Sequence, residues 1–276
     1  MVLGGGGSTG NAWLIGVVAG LFDAGVDVTK AEVTIGTSAG STAAAQLSGA
    51  TPPELYAATL VPIPARPGAP NKPVVDHLER MRKIIAASAN PAELRRRIGA
   101  AALELDTDDA WSAQWRGMVA SRLPRQVWPE RKVLITAIDA QNGEPVVFDR
   151  QSGVALADAV AASCSSGRPY RVGSRRYLDG GFRSNAENAD LAEGSARVLV
   201  LAPFGGETLL PLEWGVHLAA QVEALRANGS EVEVIVPTSG ELFGVNAMDL
   251  SLRPAAARAG YELGTACAER VGLLWR

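Results

Sequence analysis

Three glycine-rich turns, each entered from a short apolar segment, constrain this chain more than any other feature. Gly4-Gly5-Gly6-Gly7-Ser8-Thr9-Gly10 follows Val2-Leu3, Gly36-Thr37-Ser38-Ala39-Gly40 follows Val33-Thr34-Ile35, and Asp179-Gly180-Gly181 follows Tyr177-Leu178. After the first turn, residues 11–24 carry apolar side chains at Trp13, Val17 and Leu21 and at Ile15, Val18 and Phe22, a helical period that Gly25 stops. After the second, small residues run as a helix to about Gly49. Strand–loop–helix–strand–turn–helix predicts a mostly parallel sheet with helices on its faces. In such a sheet the carboxyl ends of the strands share one edge, where ligands bind. A right-handed crossover brings the first two turns together there.

The remaining segments fit the same class. Five prolines in residues 61–73 exclude regular structure there, and helical patterns follow at 74–87, from an opening at Asn90-Pro91-Ala92-Glu93, and at 108–122. Strands at 132–138 and 145–148 flank Gln141-Asn142-Gly143, a hairpin turn. A short helix at 155–162, an irregular stretch to Arg176, strands at 197–201 and 232–236 around a helix at 212–227, and a closing helix at 255–274 complete the chain. The reading is one domain over residues 1–276 with a helical insertion at about 50–130. Lys+Arg 26 against Asp+Glu 29 leaves a net charge of −3, and no basic run marks a nucleic-acid partner. No apolar run reaches a membrane span, and no signal peptide opens the chain, so a cytoplasmic location is expected. Cys164 and Cys267 have no metal-ligand neighbours at useful spacing, and neither a metal nor another cofactor is expected.

Gly36-Thr37-Ser38-Ala39-Gly40 matches G-x-S-x-G, a nucleophile elbow that lifts a serine hydroxyl off the sheet at a helix N-terminus, with Gly36 and Gly40 permitting the tight turn. Gly5, Gly6 and Gly7 can turn backbone N–H groups toward an oxyanion. Three readings of that loop stand side by side. Besides an oxyanion hole, residues 5–10 spell G-x-G-x-x-G, the dinucleotide fingerprint, and a purely structural turn is the plain alternative. The dinucleotide reading lacks its acidic residue at the end of the second strand. Ser38 needs a base. A triad of Ser38, Asp179 and His217 can be written, but His217 lies in mid-helix by pattern, and His77, the one other histidine, is read likewise as a helical residue. Asp179, at a strand end before two glycines, can act directly if burial raises its pKa. Trp111, Trp115 and Trp128 read as core of the helical block or a lid wall, Arg95-Arg96-Arg97 as a solvated helix face, and Cys164 as no nucleophile.

The three turns, in this order and at these separations, resemble the patatin-like phospholipases, in a bacterial branch of the family. Residues 136–139, 142–148, 162–164, 188–191 and 199–203 are similar to the family's later segments. The resemblance implies a three-layer α/β/α fold and a serine lipid acyl hydrolase with a GXSXG nucleophile. Ser38 would be that nucleophile, Asp179 the base of a Ser-Asp dyad, and the amides of Gly5, Gly6 and Gly7 the oxyanion donors. Gly10, Gly36, Gly40, Gly180 and Gly181 would support the three motifs. It implies a lipid or ester substrate, transient contact with a membrane surface, and no cofactor; a transacylase or a silent lipid-binding protein are the alternatives. Two segments depart from the pattern: Thr9-Gly10 lacks the cation common there, and residues 165–170 form a shorter loop.

Overall fold

The computed structural model describes residues 1–63, 72–106 and 110–275, with the backbone alone at 72–78. In chain order the elements are β1 (Val2–Leu3), α1 (Gly7–Asp23), β2 (Val33–Gly36), α2 (Ala39–Leu47), α3 (Pro52–Leu60), α4 (Lys72–Ala86), α5 (Pro91–Leu103) and α6 (Ala110–Ala120). Then come β3 (Lys132–Asp139), β4 (Pro145–Phe148), α7 (Leu156–Ser163), β5 (Tyr170–Val172), β6 (Arg175–Asp179), β7 (Arg197–Leu201), α8 (Leu218–Ala227), β8 (Glu231–Ile235) and α9 (Arg253–Trp275).

The fold is α/β around a mostly parallel sheet. β3, β2, β1, β7 and β8 lie side by side and parallel. Alternation along the strands decides the layers. Leu3, Ile135, Leu199 and Leu201 face α1, α2 and α9, whereas Val2, Ile35, Val198 and Val200 face Leu218, Val222 and Leu225 of α8. α1 lies against α9 at backbone distance: a Cβ at Gly16 would fall on the Ala257 carbonyl, and one at Gly264 on that of Val17. On the α8 side, α4 and α5 cover Ile138 and Leu178 with Ile85, Leu94 and Ile98.

The register around β3 positions the site. Ile135 pairs with both β2 and β4, and Ala137 and Ile138 pair with both β4 and β6. β4 therefore occupies one edge of β3, and β2 and β6 share the other, end to end. β2 runs up to Gly36, level with Ile135; β6 runs down to Asp179, level with Ala137. The elbow residues Thr37 and Ser38 fall in the gap between them.

Several boundaries differ from the sequence reading. The stretch before Arg176 is not irregular: β5 and β6 form a hairpin through Gly173 at φ 58. β6 is antiparallel to β3, so Asp179 reaches the shared edge by running back toward it rather than by ending a parallel strand. α1 starts at Gly7, inside the glycine loop, because Gly6 ends in a conformation from which the helix can begin. α3 is an additional helix, closed by Thr51 and Glu54, whose carboxylate accepts the Thr51 N–H at 2.9 Å. Pro73 lies in the first turn of α4, where a missing N–H costs no helical bond. Asn90 caps α5 as expected, accepting the Glu93 N–H at 2.9 Å. Of the proline-rich segment, residues 64–71 lie outside the described residues, as do 107–109 at the expected start of α6.

Candidate active site

Ser38 sits between β2 and α2 at φ 52, ψ −114. Among the described residues Ser38 and Asn188 alone have positive φ without being glycine. Such strain persists only where the surroundings over-determine it. A Cβ at Gly40 would fall on the Leu3 carbonyl, so only glycine lets α2 approach β1 this closely. From behind, the Ser38 N–H donates to Ser163 Oγ at 2.9 Å, and its carbonyl accepts from Ser41 Oγ at 2.6 Å and Cys164 Sγ at 3.2 Å. The Cys164 thiol is pushed up to about 11, by burial first and the Asp179 charge second, which keeps it a protonated donor.

Asp179 ends β6 and caps the turn Gly180–Phe182, accepting the Gly181 N–H at 2.8 Å. The Ser38 side chain lies close enough to favour its ionised form. Burial pushes this carboxyl up to about 6, while the Gly181 N–H and then Ser38 hold it down. An acid so tuned is ionised at neutral pH yet basic enough to take a proton.

A fully buried polar network fixes the distance between the two turns. Asn188 Nδ2 donates to Thr37 Oγ1 at 3.0 Å and to the Gly180 carbonyl at 2.9 Å, and Thr37 Oγ1 lies 2.9 Å from Thr136 Oγ1. A Cβ at Gly180 would collide with Thr136. Sequence reasoning missed Thr37, Thr136 and Asn188 as positioning residues; the one signal was an asparagine, which tolerates the left-handed conformation that Asn188 adopts at φ 56.

The glycine loop lies directly against the elbow: an ideal Cβ at Gly5 would be 3.6 Å from Ser38 Cβ. Its amides divide into two kinds. The Gly4 N–H donates to the Leu201 carbonyl at 2.9 Å and the Gly5 N–H to the Ala186 carbonyl at 2.7 Å. Gly5, expected as an oxyanion donor, is thus engaged elsewhere, because the 185–188 turn needs its N–H. Gly6 and Gly7 have N–H groups with no acceptor among the described residues, at the N-terminus of α1. The Ala39 N–H, at the N-terminus of α2, is equally unengaged. Gly10 lies inside α1, its N–H bonded to the Gly6 carbonyl at 2.9 Å.

Glu187 is a further residue the sequence did not mark. It is 1% exposed, its Oε1 has no hydrogen-bond partner among the described residues, and its Cγ would lie 3.2 Å from a Cβ at Gly4. Burial pushes it up to about 7. His217 is not in mid-helix: Leu212–Trp214 is a separate 3-10 turn, Gly215 breaks the pattern at φ 65, and His217 is the N-cap of α8. Its Nδ1 is buried without a partner. The side chain of His77 lies outside the described residues. The tryptophans pack inward: Trp111 and Trp115 stack at 6.2 Å, and Trp115 and Trp128 donate to the carbonyls of Ala161 and Val154. Arg95 is not solvated, donating instead to the carbonyls of Gly143 and Arg183.

Fold and turns together describe an α/β protein with a strained serine, a buried carboxyl and open amides at one sheet edge. A family model described as patatin-like phospholipase matches residues 1–190, and the chain belongs to that family. Comparison with curated proteins gives no match. Among solved structures the chain is similar to VipD from Legionella pneumophila, with a TM-score of 0.46 and 13% identity over 96% of this chain. The chain spans 66% of that structure's length. Among the described residues no helix is long and apolar enough to cross a membrane.

Proposed function

We propose that residues 1–276 act as one domain that hydrolyses carboxylic ester bonds of lipids through an acyl-Ser38 intermediate, as a phospholipase A type lipid acyl hydrolase. The observation that carries this reading is the strained Ser38 beside a buried carboxyl whose pKa is pushed up to about 6. Asp179 accepts the serine proton as Ser38 Oγ attacks the ester carbonyl. The tetrahedral oxyanion then lies toward the N–H groups of Gly6, Gly7 and Ala39, which have no acceptor among the described residues. Collapse expels the alcohol, which takes the proton back from Asp179. Water repeats the sequence on the acyl-enzyme and releases the free acid. The substrate is a lipid or ester met at a membrane surface. Neither a metal nor another cofactor enters these steps.

A fluorophosphonate probe tests the assignment. One adduct per chain is expected, on the peptide holding Ser38, absent in Ser38→Ala and much slower in Asp179→Asn. Ester turnover should follow the labelling. An adduct on Ser165 or Ser166, or full activity in a folded Asp179→Asn protein, would overturn the dyad.

A further inference from the structure

The first two turns of α1 are held by a segment that lies beyond residues 1–190, the part that the family model matches. Three contacts reach them from residues 243–253. Phe243 meets the Trp13 ring edge to face at 6.3 Å, and the Ala247 carbonyl accepts the Thr9 N–H at 3.0 Å. Arg253, which opens α9, donates to the Ser8 carbonyl at 2.8 Å, to Ser8 Oγ at 3.2 Å and to Asn11 Oδ1 at 3.2 Å. Thr9 thus has an acceptor, whereas Gly6 and Gly7 just before it have none among the described residues. Asn11 in turn donates to the Ala39 carbonyl at 3.4 Å, so one side chain separates Arg253 from the residue that follows the nucleophile.

A cation is out of place there by the usual electrostatics. A helix N-terminus is already partly positive and disfavours a positive side chain beside it. Arg253 stands half-buried against that terminus, all its printed acceptors are neutral, and no ion pair involves it among the described residues. Burial, the largest cause, pushes its pKa down to about 10, which still leaves it charged at neutral pH. A charge taken partly out of water without a counter-ion is destabilising. It becomes favourable when negative charge develops nearby, as it does on the oxyanion of acyl transfer.

We propose that Arg253 is a positioning residue for the reaction: it fixes the first turn of α1, so that the Gly6 and Gly7 amides keep their direction, and it lends positive charge to the end of the helix that faces the oxyanion. The inference rests on the Ser38 reading, because attack by Ser38 is what creates an oxyanion at that loop. Arg253 acts through the loop and its field, without touching the substrate.

Kinetics on a soluble, uncharged ester test the charge. Arg253→Gln should lower kcat about 10- to 100-fold and leave KM within about twofold, because the charge acts on the transition state. Fluorophosphonate labelling of Ser38 should slow by the same factor. Arg253→Lys, which keeps the charge, should recover most of the loss. A purely structural role predicts that Gln and Lys lose alike, in step with a lower melting temperature; that result, or wild-type kcat in Arg253→Gln, would overturn the inference. Ser8→Asp carries the test if Arg253→Gln does not fold. Its carboxylate would neutralise Arg253 in place and suits a helix N-terminus, so the protein should melt no lower than wild type yet lose about tenfold in kcat. Wild-type kcat in Ser8→Asp would sink the idea. Arg270→Gln, which breaks the pair with Glu233 near the other end of α9, is the unaffected control.

Amide hydrogen exchange separates this inference from the catalytic one, because it needs no turnover. Over residues 4–10, whose Gly4, Gly5, Thr9 and Gly10 N–H groups are bonded, Arg253→Gln should speed exchange about tenfold, while residues 133–138 of β3 stay as in wild type. Unchanged exchange at the loop would remove its hold by Arg253 even if Ser38 is the nucleophile. Faster exchange, together with no turnover and no label on Ser38 in wild type, would keep the hold on the loop and remove the Ser38 reading and the oxyanion role with it.

Discussion

The two edges of the sheet differ in nearly every physical respect. At the edge where the strands begin, a cleft of about 740 Å³ is lined by Lys30, Arg125, Arg131 and Arg150 with Asp27 and Glu130. Charge there is plentiful, and part of it has local partners: Lys30 pairs with Asp27 at 3.4 Å, and Arg131 donates to the Thr29 carbonyl at 2.6 Å. The edge where the strands end is crowded instead. It holds the strained Ser38, two buried carboxyls raised by burial, and amides that have no acceptor. Open volume and poised chemistry are therefore separated by the length of the strands. The cleft is not the better candidate, because none of its lining residues has the strained backbone of Ser38.

The comparison breaks first at the glycine loop. Gly6→Ala would set a Cβ 2.6 Å from Pro203 Cβ, too close for both to stay. The loop must shift, and the Gly6 and Gly7 amides shift with it. Loss of one oxyanion donor costs roughly 10²–10³ in kcat, about 3–4 kcal/mol. The decrease should fall on kcat more than KM, because the contact tightens in the transition state. Arg125→Gln in the cleft at the opposite edge should leave kcat within twofold. Steady-state kinetics on one soluble ester measure both. Equal losses would mean that the cleft, not the crowded edge, governs turnover.

A second, smaller effect sharpens the contrast through pH. Asp179 must be ionised to act, so kcat/KM should rise with pH through about 6. Its folded pKa lies above the ordinary carboxyl value of 3.8, so the folded state holds the proton more tightly than the unfolded state. Stability from this group is full below pH 4, falls between about 4 and 6, and stays lowered above 6. Asp179→Asn should therefore be inactive yet more stable than wild type at pH 7, by at most about 3 kcal/mol. Thermal melts at pH 4 and pH 7 check it: the gain should shrink at the lower pH. Glu187→Gln should leave the activity limb near 6 in place, which separates the two buried acids. A gain of Asp179→Asn that is equal at both pH values would mean the carboxyl is not held up by burial.

These contrasts also show what the sequence could and could not convey. The elbow and the glycine loop were legible because close backbone approach demands glycine, and glycine clusters are visible in a string of letters. Asp179 was legible through its two glycines, although the reason for its position was not. That reason is the end-to-end meeting of β2 and β6 along β3, a matter of strand register. β5 was hidden by its shortness: three residues are too few to establish an alternating pattern. Thr136, Asn188 and Glu187 were hidden for another cause. A buried polar residue looks like any surface one until its partners, or their absence, are known. His217 was misplaced because the apolar period of the following helix can be extended backward across Gly215 in the sequence.

The smallest expected effect concerns that histidine. His217 caps α8, its Nδ1 is buried without a hydrogen-bond partner, and Asn185 bonds the neighbouring Val216 carbonyl at 2.6 Å. It is thus close in sequence to the contact that anchors the 185–188 turn, and a triad could in principle recruit it. The geometry argues otherwise. Asp179 already accepts the Gly181 N–H and lies beside Ser38, and among the described residues no hydrogen bond joins His217 to either candidate catalytic residue. A serine with a triad loses most of its activity when the histidine is removed, because the proton then has no acceptor. A serine with its own carboxylate does not. His217→Ala should keep kcat within a few-fold of wild type and leave the rising limb near pH 6 unchanged. Its effect on stability should be small and of either sign, since it removes an unsatisfied buried nitrogen together with some packing. The pH profile is the sharper measurement: a limb displaced toward 7 in wild type and abolished in His217→Ala would put a histidine in the proton path and return the site to a triad.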